Sequence, residues 1–260
     1  MNKSFANSFV LVSGAASGIG RELVQQLYLV QAKILAVDID ADGLQDLRAQ
    51  FPKIEILTLD LTKGKALEEI TLWLDKNWKQ LDYCFANAGK AYYEPFEKQG
   101  LNKIEELFHL NVFAVLELGI VLRQKFPSLY LTITCSAMAY WPLPGYGIYS
   151  ATKSSLLAWA QAVWLESDEQ WLSLAFPIAT QSKFFDQAGQ GIPRPFPSQK
   201  AEQVADKILR GAKKNQKKIF PSALFRVLLY LNRYLLIIKP IYQYYELRKF
   251  KKWIKKQSNS

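Results

Sequence analysis

A tyrosine and a lysine four positions apart are the residues of this chain with the clearest capacity for chemistry. Tyr149 and Lys153 lie in the segment Tyr-Ser-Ala-Thr-Lys, and this spacing places both side chains on one face of a helix. A free tyrosine has a pKa of about 10, too high for a base near neutral pH, but a neighbouring ammonium favours the phenolate. We therefore predict that Tyr149 is a general acid/base and that Lys153 is its electrostatic partner.

Further polar residues precede this pair, each at the end of a predicted strand or in the helix next to one. Ser136 ends the fifth strand, where its hydroxyl could hold a substrate oxygen and stabilise developing charge. Asn111 lies in the helix before that strand. Asn87, Ala88 and Gly89 follow the fourth strand, and Asp60 ends the third. Singly, each residue suits an ordinary turn or helix surface, so only their joint occurrence is informative.

A glycine-rich turn near the start of the chain suggests a phosphate-binding site. Residues 13–20 read Ser-Gly-Ala-Ala-Ser-Gly-Ile-Gly and lie between a predicted strand and a predicted helix. Such a turn brings backbone close to a pyrophosphate at the N-terminus of the helix. Asp38 ends the next strand, where its carboxylate can hold ribose hydroxyls and would repel a 2′-phosphate. No Lys or Arg occupies the turn, so the sequence favours NAD over NADP.

Short apolar runs alternate with helical patterns through the first 180 residues. The runs lie at residues 9–12, 33–37, 54–59, 81–86, 129–135 and 172–176, with a possible last strand at 218–220. This alternation predicts an α/β fold with a doubly wound parallel sheet, a Rossmann fold, whose ligands bind beyond the carboxyl ends of the strands. Residues 181–198 form a long Gly- and Pro-containing connection, which is typical of a lid. We expect one domain over residues 1–222 and a helical extension over 223–260.

These motifs, in this order and spacing, resemble the short-chain dehydrogenase/reductase family. The resemblance covers residues of about 8–210, and Ser13 stands where the family motif Thr-Gly-x-x-x-Gly-x-Gly has Thr. It implies an NAD(P)-dependent oxidoreductase acting on CH–OH groups, with Asn111, Ser136, Tyr149 and Lys153 as catalytic residues. By the same resemblance, Asn111 would anchor a water that relays protons to Lys153. The cofactor would contact Gly14, Ser17, Gly18, Ile19, Gly20, Asp38, Asp60, Asn87, Ala88, Gly89, Tyr149, Lys153, Pro177 and Ser182.

The sequence departs from the family pattern after the sixth strand. The family has Pro-Gly there, with Thr five residues past the Pro, whereas this chain has Pro177, then Ile178, and Ser182 at the Thr position. Ser182 keeps a hydroxyl for the nicotinamide carboxamide. Ile178 adds bulk where the backbone lies near the nicotinamide ring, which leaves a non-catalytic protein of this fold as an alternative.

Composition excludes several other kinds of site. The 260 residues include one histidine, His109, and two cysteines, Cys84 and Cys135. These residues cannot form a zinc site made of thiolates or several imidazoles, so we expect no bound metal. They cannot form a disulfide framework either, so we expect a reducing, cytoplasmic compartment. Both cysteines fall in predicted strands and read as buried small hydrophobes.

Aromatic residues surround the predicted catalytic residues. They are Tyr92, Tyr93, Phe96, Tyr140, Trp141, Tyr146, Phe184, Phe185 and Phe196. A pocket lined by such side chains would suit a lipid-, steroid- or retinoid-like alcohol or ketone. The alternative is that several of them pack a lid.

Positive charge is concentrated at the end of the chain. Residues 207–260 hold fifteen Lys or Arg side chains but one acid, Glu246. We predict helices at 224–238 and 247–256, separated at Pro240, with Leu247, Phe250, Trp253 and Ile254 forming an apolar stripe opposite cations. This pattern predicts that residues 223–256 bind the surface of an anionic membrane. A membrane-spanning helix is not expected, because no segment has about 18 uncharged apolar residues.

Other partners and functions remain open at this stage. The extension could pack on a second subunit of a homo-oligomer, whereas its apolar stripe argues against nucleic acid and against a fully solvated face. The leading hypothesis is an NAD-dependent oxidoreductase acting on an apolar secondary alcohol or ketone at a membrane surface. The alternatives are a non-catalytic NAD-binding regulatory protein of the same fold and an NADPH-dependent oxoacyl reductase, which Asp38 disfavours.

Overall fold

The computed structural model describes residues 4–258, so the predicted domain ends at residues 1 and 260 lie outside the described part. Within these residues, seven strands form one parallel sheet in the order β3-β2-β1-β4-β5-β6-β9, and β7 pairs with β8 in a small second sheet. The strands are β1 (Phe9–Ser13), β2 (Lys33–Asp38), β3 (Glu55–Thr58), β4 (Tyr83–Ala86), β5 (Tyr130–Thr134), β6 (Leu172–Ala175), β7 (Ala179–Gln181), β8 (Ser198–Lys200) and β9 (Lys218–Ile219). The predicted doubly wound fold is confirmed.

Helices cover both faces of the large sheet. They are α1 (Gly18–Leu29), α2 (Ala41–Gln50), α3 (Ala66–Asn77), α4 (Leu101–Phe108), α5 (Ala114–Lys125), α6 (Gly147–Glu166), α7 (Phe184–Ala188), α8 (Ala201–Lys213), α9 (Ala223–Leu235) and α10 (Ile238–Ser258). Alternate residues of β1 enter opposite layers: Val10 and Val12 pack with α1 and α8, and Leu11 with α3 and α5. Both sides of each central strand are therefore buried, which explains the continuous apolar runs.

The sheet order reverses at β1, which lies between β2 and β4. Chain connections leave to opposite sides at that point, so a crevice opens beyond the carboxyl ends of these two strands. The glycine turn follows β1 and the Asn-Ala-Gly segment follows β4, so the fold brings both motifs to this crevice.

The predicted lid contains more regular structure than the sequence indicated. Residues 181–198 include α7, and the segment is bounded by β7 and β8, which pair with each other in parallel. Each of these strands has three residues, too few for any periodicity to mark them in the sequence.

Two helices, α9 and α10, form what we call the C-terminal hairpin. α9 ends at Leu235, and Leu236 adopts a left-handed conformation with a φ of 52°. Pro240 then lies in the first turn of α10, where proline is tolerated, so the prediction that it separates the helices was wrong by a few residues. No helix within residues 4–258 combines the length and apolar character that crossing a bilayer requires.

The apolar stripe predicted in the second tail helix faces the body of the protein. Phe250 and Trp253 pack on Tyr93, with ring centroids 5.6 and 4.9 Å from it. For these two side chains the expected contact with lipid is corrected, because they pack on the body of the protein. The exposed apolar residues of the hairpin lie elsewhere, on α9 and the first turns of α10.

Candidate active site

A groove of about 640 Å³ lies beyond the carboxyl ends of β1, β4 and β5, and we call it the main groove. Most residues predicted for the cofactor and catalysis line it. They are Gly14, Ser17, Gly18, Ile19, Asp38, Asp60, Asn87, Ala88, Gly89, Ser136, Tyr149, Lys153, Pro177 and Ser182. Gly20 and Asn111 are not among its lining residues.

The glycine turn packs directly on the Asn-Ala-Gly segment. Gly14 has a φ of +66°, and a Cβ added there would lie 2.7 Å from the Cα of Ala88. The hydroxyl oxygen of Ser13 accepts hydrogen bonds from the backbone amides of Asn87 and Ala88, at 3.1 and 3.3 Å. The Asn87 side chain donates to the Gly14 carbonyl at 3.1 Å. Glycine is thus required at residue 14 because two loops approach each other here.

Gly20 is buried beneath the turn. A Cβ at this position would lie 1.9 Å from the Gly14 carbonyl oxygen, so the absent side chain lets α1 approach the turn. Gly20 therefore shapes the turn from outside the main groove.

The N-terminus of α1 is open toward the main groove. Within the described chain, no side chain caps this end at Ser17, and the first turn carries no acidic residue. The first amides of a helix lack partners within the helix, and its dipole favours negative charge there. The residues present therefore fit a pyrophosphate group, and Ser17, Gly18 and Ile19 would hold it.

Asp38 occupies the far end of the main groove. Its two carboxylate oxygens accept backbone amides, one from Ala16 at 2.9 Å and the other from Asp40 at 3.0 Å. A carboxylate has about four lone-pair sites, so about two remain for ribose hydroxyls. The Arg21 side chain donates to the Ala16 carbonyl at 3.4 Å, which places a cation beside the glycine turn. This cation was not predicted, because Arg21 lies just outside residues 13–20, which hold no Lys or Arg.

Asp60 lies on the groove wall beside the end of β3. The Thr62 amide and hydroxyl both donate to one of its carboxylate oxygens, at 2.9 and 2.7 Å. Burial alone would raise the pKa of Asp60, but these hydrogen bonds and the charge of Lys63 outweigh it and lower the pKa. Asp60 is therefore a fixed anion at the groove wall.

Tyr149, Lys153 and Ser136 meet at the other end of the main groove. All three are buried, with exposed fractions of 7%, 3% and 7%. The Lys153 ammonium lies 5.7 Å from the centroid of the Tyr149 ring and donates to the Thr134 carbonyl at 3.0 Å. An ammonium has three protons, so two remain for other acceptors. The predicted acid/base pair and serine are thus side by side.

Burial disfavours the charged form of each partner. Burial raises the pKa of Tyr149, although a hydrogen bond to Ser136 acts to lower it. Burial lowers the pKa of Lys153. Each charge would therefore be most favourable in the presence of the other. The Ser136 hydroxyl oxygen accepts from the Met138 amide at 3.1 Å, so its own proton can be donated to the Tyr149 oxygen.

Asn111 lies behind these residues, in a single π-helical turn (His109–Phe113) between α4 and α5. Its side chain exchanges hydrogen bonds with the Lys90 backbone, accepting from the amide and donating to the carbonyl, both at 2.9 Å. It also donates to the Thr152 hydroxyl at 3.2 Å. The side chain thus ties the loop after β4 to helix α6, and the water relay stays a prediction.

The segment after β6 differs from the family pattern in a way that the structure clarifies. Ile178 is half-buried and packs against Ala137, Trp141 and Phe225, so the added bulk contacts the C-terminal hairpin. Ser182 lies over the glycine turn, with its Cβ 3.0 Å from where a Cβ of Gly18 would be. Ser182 thus lies beside the glycine turn, and its contact with the nicotinamide carboxamide stays a prediction.

Some residues that line the main groove were missed in the sequence. They are Thr134, Lys90, Glu106 and Thr180. Lys90 pairs with Glu106 at 2.6 Å, and Tyr92 also contacts that carboxylate. The position of Lys90 directly after Asn-Ala-Gly was the available signal, whereas Glu106 reaches the groove only through the packing of α4.

The aromatic residues near the site divide into two groups. Phe184 lies 5.7 Å from the Tyr149 ring and lines the main groove with Phe185. By contrast, Tyr93 and Tyr146 pack against each other in the interior. Burial raises the pKa of Cys135 to about 11, and its thiol donates to the Lys153 carbonyl at 3.2 Å, so it has no nucleophilic character.

The fold and the site together define a Rossmann-like α/β protein whose main groove ends at a buried Tyr-Lys pair. Residues 8–174 match the sequence model of the short chain dehydrogenase family, and the chain belongs to that family. It is an oxidoreductase family, and related proteins include enzymes that reduce carbonyl groups.

Two curated relatives and one solved structure illustrate this similarity. The chain is 26% identical to L-xylulose reductase of Bos taurus over 60% of this chain and 64% of the relative, so it spans just under two thirds of that protein. The chain is also 25% identical to carbonyl reductase (NADPH) 2 of Sus scrofa, in a match that covers 64% of this chain and 68% of that protein. A short-chain dehydrogenase/reductase from Burkholderia phymatum, solved with NAD, superimposes with a TM-score of 0.78 at 17% identity, covering 89% and 94% of the two chains.

Proposed function

We propose that this protein is an NAD-dependent oxidoreductase that interconverts an apolar secondary alcohol and its ketone. The observation that carries the proposal is the buried cluster of Tyr149, Lys153 and Ser136 in the same groove as the glycine turn. When bound, the nicotinamide cofactor would supply the hydride chemistry. The protein would supply position and proton transfer.

The side chains suit defined roles in that reaction. In alcohol oxidation, the Tyr149 phenolate takes the hydroxyl proton as the carbon–hydrogen bond of the alcohol breaks with its electron pair. In ketone reduction, the phenol returns that proton to the oxygen. Lys153 favours the phenolate. The Ser136 hydroxyl, which can donate to Tyr149, could instead donate to the substrate oxygen, where negative charge develops.

The cofactor preference is argued from Asp38. The main groove carries Asp38 and Asp40 at the same end, and two like charges in proximity repel. A 2′-phosphate there would face both carboxylates, whereas ribose hydroxyls would find free acceptor sites. We therefore favour NAD, although Arg21 supplies one cation near the turn.

The proposal is tested by nicotinamide absorbance with a panel of long-chain, steroid and retinoid alcohols and ketones. NAD(H) and NADP(H) are compared side by side, and Tyr149→Phe is the control. Turnover that requires NAD(H) and disappears in the variant is the expected result. Tight NAD(H) binding without Tyr149-dependent turnover would instead favour a non-catalytic, regulatory protein.

We further propose that the enzyme works at the surface of an anionic membrane. Exposed apolar side chains form one face of the C-terminal hairpin. They are Leu224, Val227, Leu231, Tyr234, Leu235, Leu236, Ile237, Ile241, Tyr244 and Tyr245. On the exposed face of α10, Arg248, Lys251, Lys252 and Lys255 follow directly along the chain.

Charge complementarity selects the bilayer as the occupant of this face. The one acid of the region, Glu246, is buried and pairs with Lys249 at 2.9 Å, so it does not offset the surrounding cations. Each cation near an anionic bilayer contributes about 1 kcal/mol, in addition to the burial of apolar side chains.

Vesicle co-sedimentation tests the membrane proposal. The protein should sediment with phosphatidylglycerol vesicles far more than with phosphatidylcholine vesicles. The double variant Leu231→Glu/Leu235→Glu should abolish this, whereas Leu165→Glu, at an exposed leucine of α6, should not. Equal behaviour of the two variants contradicts the proposal, as does a dimer in gel filtration that only the double variant disrupts.

A further inference from the structure

A second cavity, of about 290 Å³, lies beside the catalytic residues, and we call it the side cavity. Ser136, Met138, Ile178 and Ala179 line both the side cavity and the main groove, so these residues form a shared wall. The other side is built largely by the C-terminal hairpin and by the lid. The lining residues from these parts are Pro195, Phe196, Pro197, Leu224, Phe225, Leu228, Ile238, Tyr242 and Tyr245.

The chemistry of the side cavity fits hydrocarbon. No lining residue in the described chain is charged, and most are aliphatic or aromatic. The hydroxyl of Ser222 is already engaged, because it accepts from the Phe225 amide at 3.1 Å as the cap of α9. A sugar-like ligand would lose most of its hydrogen bonds to water here, because few lining residues carry a polar group. An alkyl chain would gain from the same burial.

The side cavity opens at the exposed apolar face of the hairpin. Phe196, Leu224 and Tyr245 line it, and their exposed fractions are 69%, 54% and 50%. Leu224 and Tyr245 also belong to the exposed apolar face described above. The inner end of the cavity, at Ser136, meets the reaction site. The cavity is therefore a passage between the exposed apolar face and the acid/base pair.

We propose that the side cavity binds the hydrocarbon tail of the substrate. This inference rests on the proposed oxidoreductase function and narrows its substrate class. The substrate is an amphiphile with an alkyl-type tail attached to the reacting carbon, and it enters between α9, α10 and the lid. At about 30 Å³ per methylene-sized group, the side cavity holds roughly ten such groups.

Ile178 has a specific place in this arrangement. It lies in the shared wall and packs on Trp141 and Phe225. The family's glycine at this position would leave that part of the wall open. The isoleucine thus separates the tail from the groove that would hold the cofactor, and it gives the departure from the family pattern a positioning role.

The first test uses methyl ketones that differ only in chain length, from butanone to about twelve carbons. For the native protein, kcat/KM should rise about fourfold for each added methylene until the side cavity is full. Leu228→Phe narrows the side cavity and should remove this rise. Leu231→Phe, on the outer face of α9, is the matched control and should retain the rise.

The second test measures binding without turnover. Trp141 lines the side cavity, so a long-chain alcohol brominated at its far end should quench part of the tryptophan fluorescence. Trp141→Phe should remove that part, and Leu228→Phe should weaken the binding at least tenfold. This measurement also applies if Leu228→Phe lowers activity by perturbing the fold, because Trp141→Phe is an independent variant.

The outcomes separate the two proposals. Quenching through Trp141 without any ketone turnover supports the tail site and contradicts the oxidoreductase proposal. Turnover of butanone with a flat chain-length profile and no quenching through Trp141 overturns the tail site and leaves the oxidoreductase proposal intact.

Discussion

Replacing Lys153 with methionine tests whether its charge, rather than its position, makes Tyr149 a base. The Lys153 ammonium lies 5.7 Å from the centroid of the Tyr149 ring. If the negative charge is taken to be spread over the phenolate ring, two unit charges at about this distance interact with roughly 3 kcal/mol at an effective dielectric constant of about 20, or about two pKa units. Burial raises the pKa of Tyr149, and in this electrostatic account the ammonium opposes that rise, so removing the ammonium should raise the pKa further by about two units.

The assay is the pH dependence of kcat/KM for oxidation of a secondary alkanol at saturating NAD. Alcohol oxidation requires the phenolate, so the rate rises with pH until Tyr149 is ionised. In Lys153→Met this rise should move to higher pH by about two units, and near neutral pH the rate should fall roughly a hundredfold. Lys153→Arg keeps the charge and should leave the rise close to its native position.

One pattern would refute this electrostatic account. If Lys153→Met lowers the rate equally at every pH, the lysine acts by holding the site together. NAD affinity, followed separately by tryptophan fluorescence, ensures that weaker cofactor binding is not mistaken for a change in the pKa of Tyr149. Burial lowers the pKa of Lys153 itself, so in the native protein the effect also ends at high pH, where the ammonium deprotonates.

Three other predictions follow from contacts in and around the main groove. Gly20→Ala would place a Cβ 1.9 Å from the Gly14 carbonyl oxygen, so it should lower the free energy of unfolding in urea by about 1–3 kcal/mol or more. Gly64→Ala is the control: a Cβ there meets no atom within 4 Å, so the free energy of unfolding should stay the same. Asp38→Asn removes a negative charge and should raise the NADPH-to-NADH ratio of kcat/KM at least tenfold; an unchanged ratio contradicts the assigned role. Asn111→Ala leaves two backbone groups of the loop after β4 without partners and should cost about 1–3 kcal/mol in thermal unfolding; an unchanged melting temperature would show that water replaces the side chain.

Patterns that repeat along one element were predictable from the sequence. The apolar runs of the central strands are continuous because helices cover both faces of the sheet. The doubly wound fold could therefore be predicted from these runs and the helical patterns between them. Tyr149 and Lys153 lie one helical turn apart, so their proximity followed from helix geometry alone. Ser13 was read as a stand-in for threonine, and its hydroxyl oxygen indeed accepts two amides.

Features that depend on packing between distant segments were not predictable. Gly20 was assigned to the cofactor because it belongs to the motif, yet only the fold shows that its missing side chain admits the Gly14 carbonyl. Ile178 looked like an obstruction, because nothing in the sequence indicates that Phe225, far along the chain, packs against it. The π-helical turn at Asn111 likewise leaves no pattern in the residues around it.

The C-terminal hairpin shows why an amphipathic pattern does not identify its own partner. Helix α10 carries apolar residues on two sides: Phe250 and Trp253 pack on Tyr93, whereas Ile241 and Tyr244 are exposed. The sequence pattern selected the stripe that contains Phe250 and Trp253 for the membrane, and these are the side chains that pack on the body. Only the three-dimensional contacts separate the two sides.

This distinction also decides how membrane binding has to be tested. Deleting the chain beyond about residue 221 would remove the apolar face, but it would also uncover Tyr93 and remove the outer wall of the side cavity. A shortened protein could then bind vesicles through newly exposed core, or lose activity for reasons unrelated to lipid. Charged substitutions at Leu231 and Leu235 leave those packed contacts in place, so a loss of vesicle binding in them reports on the exposed face itself.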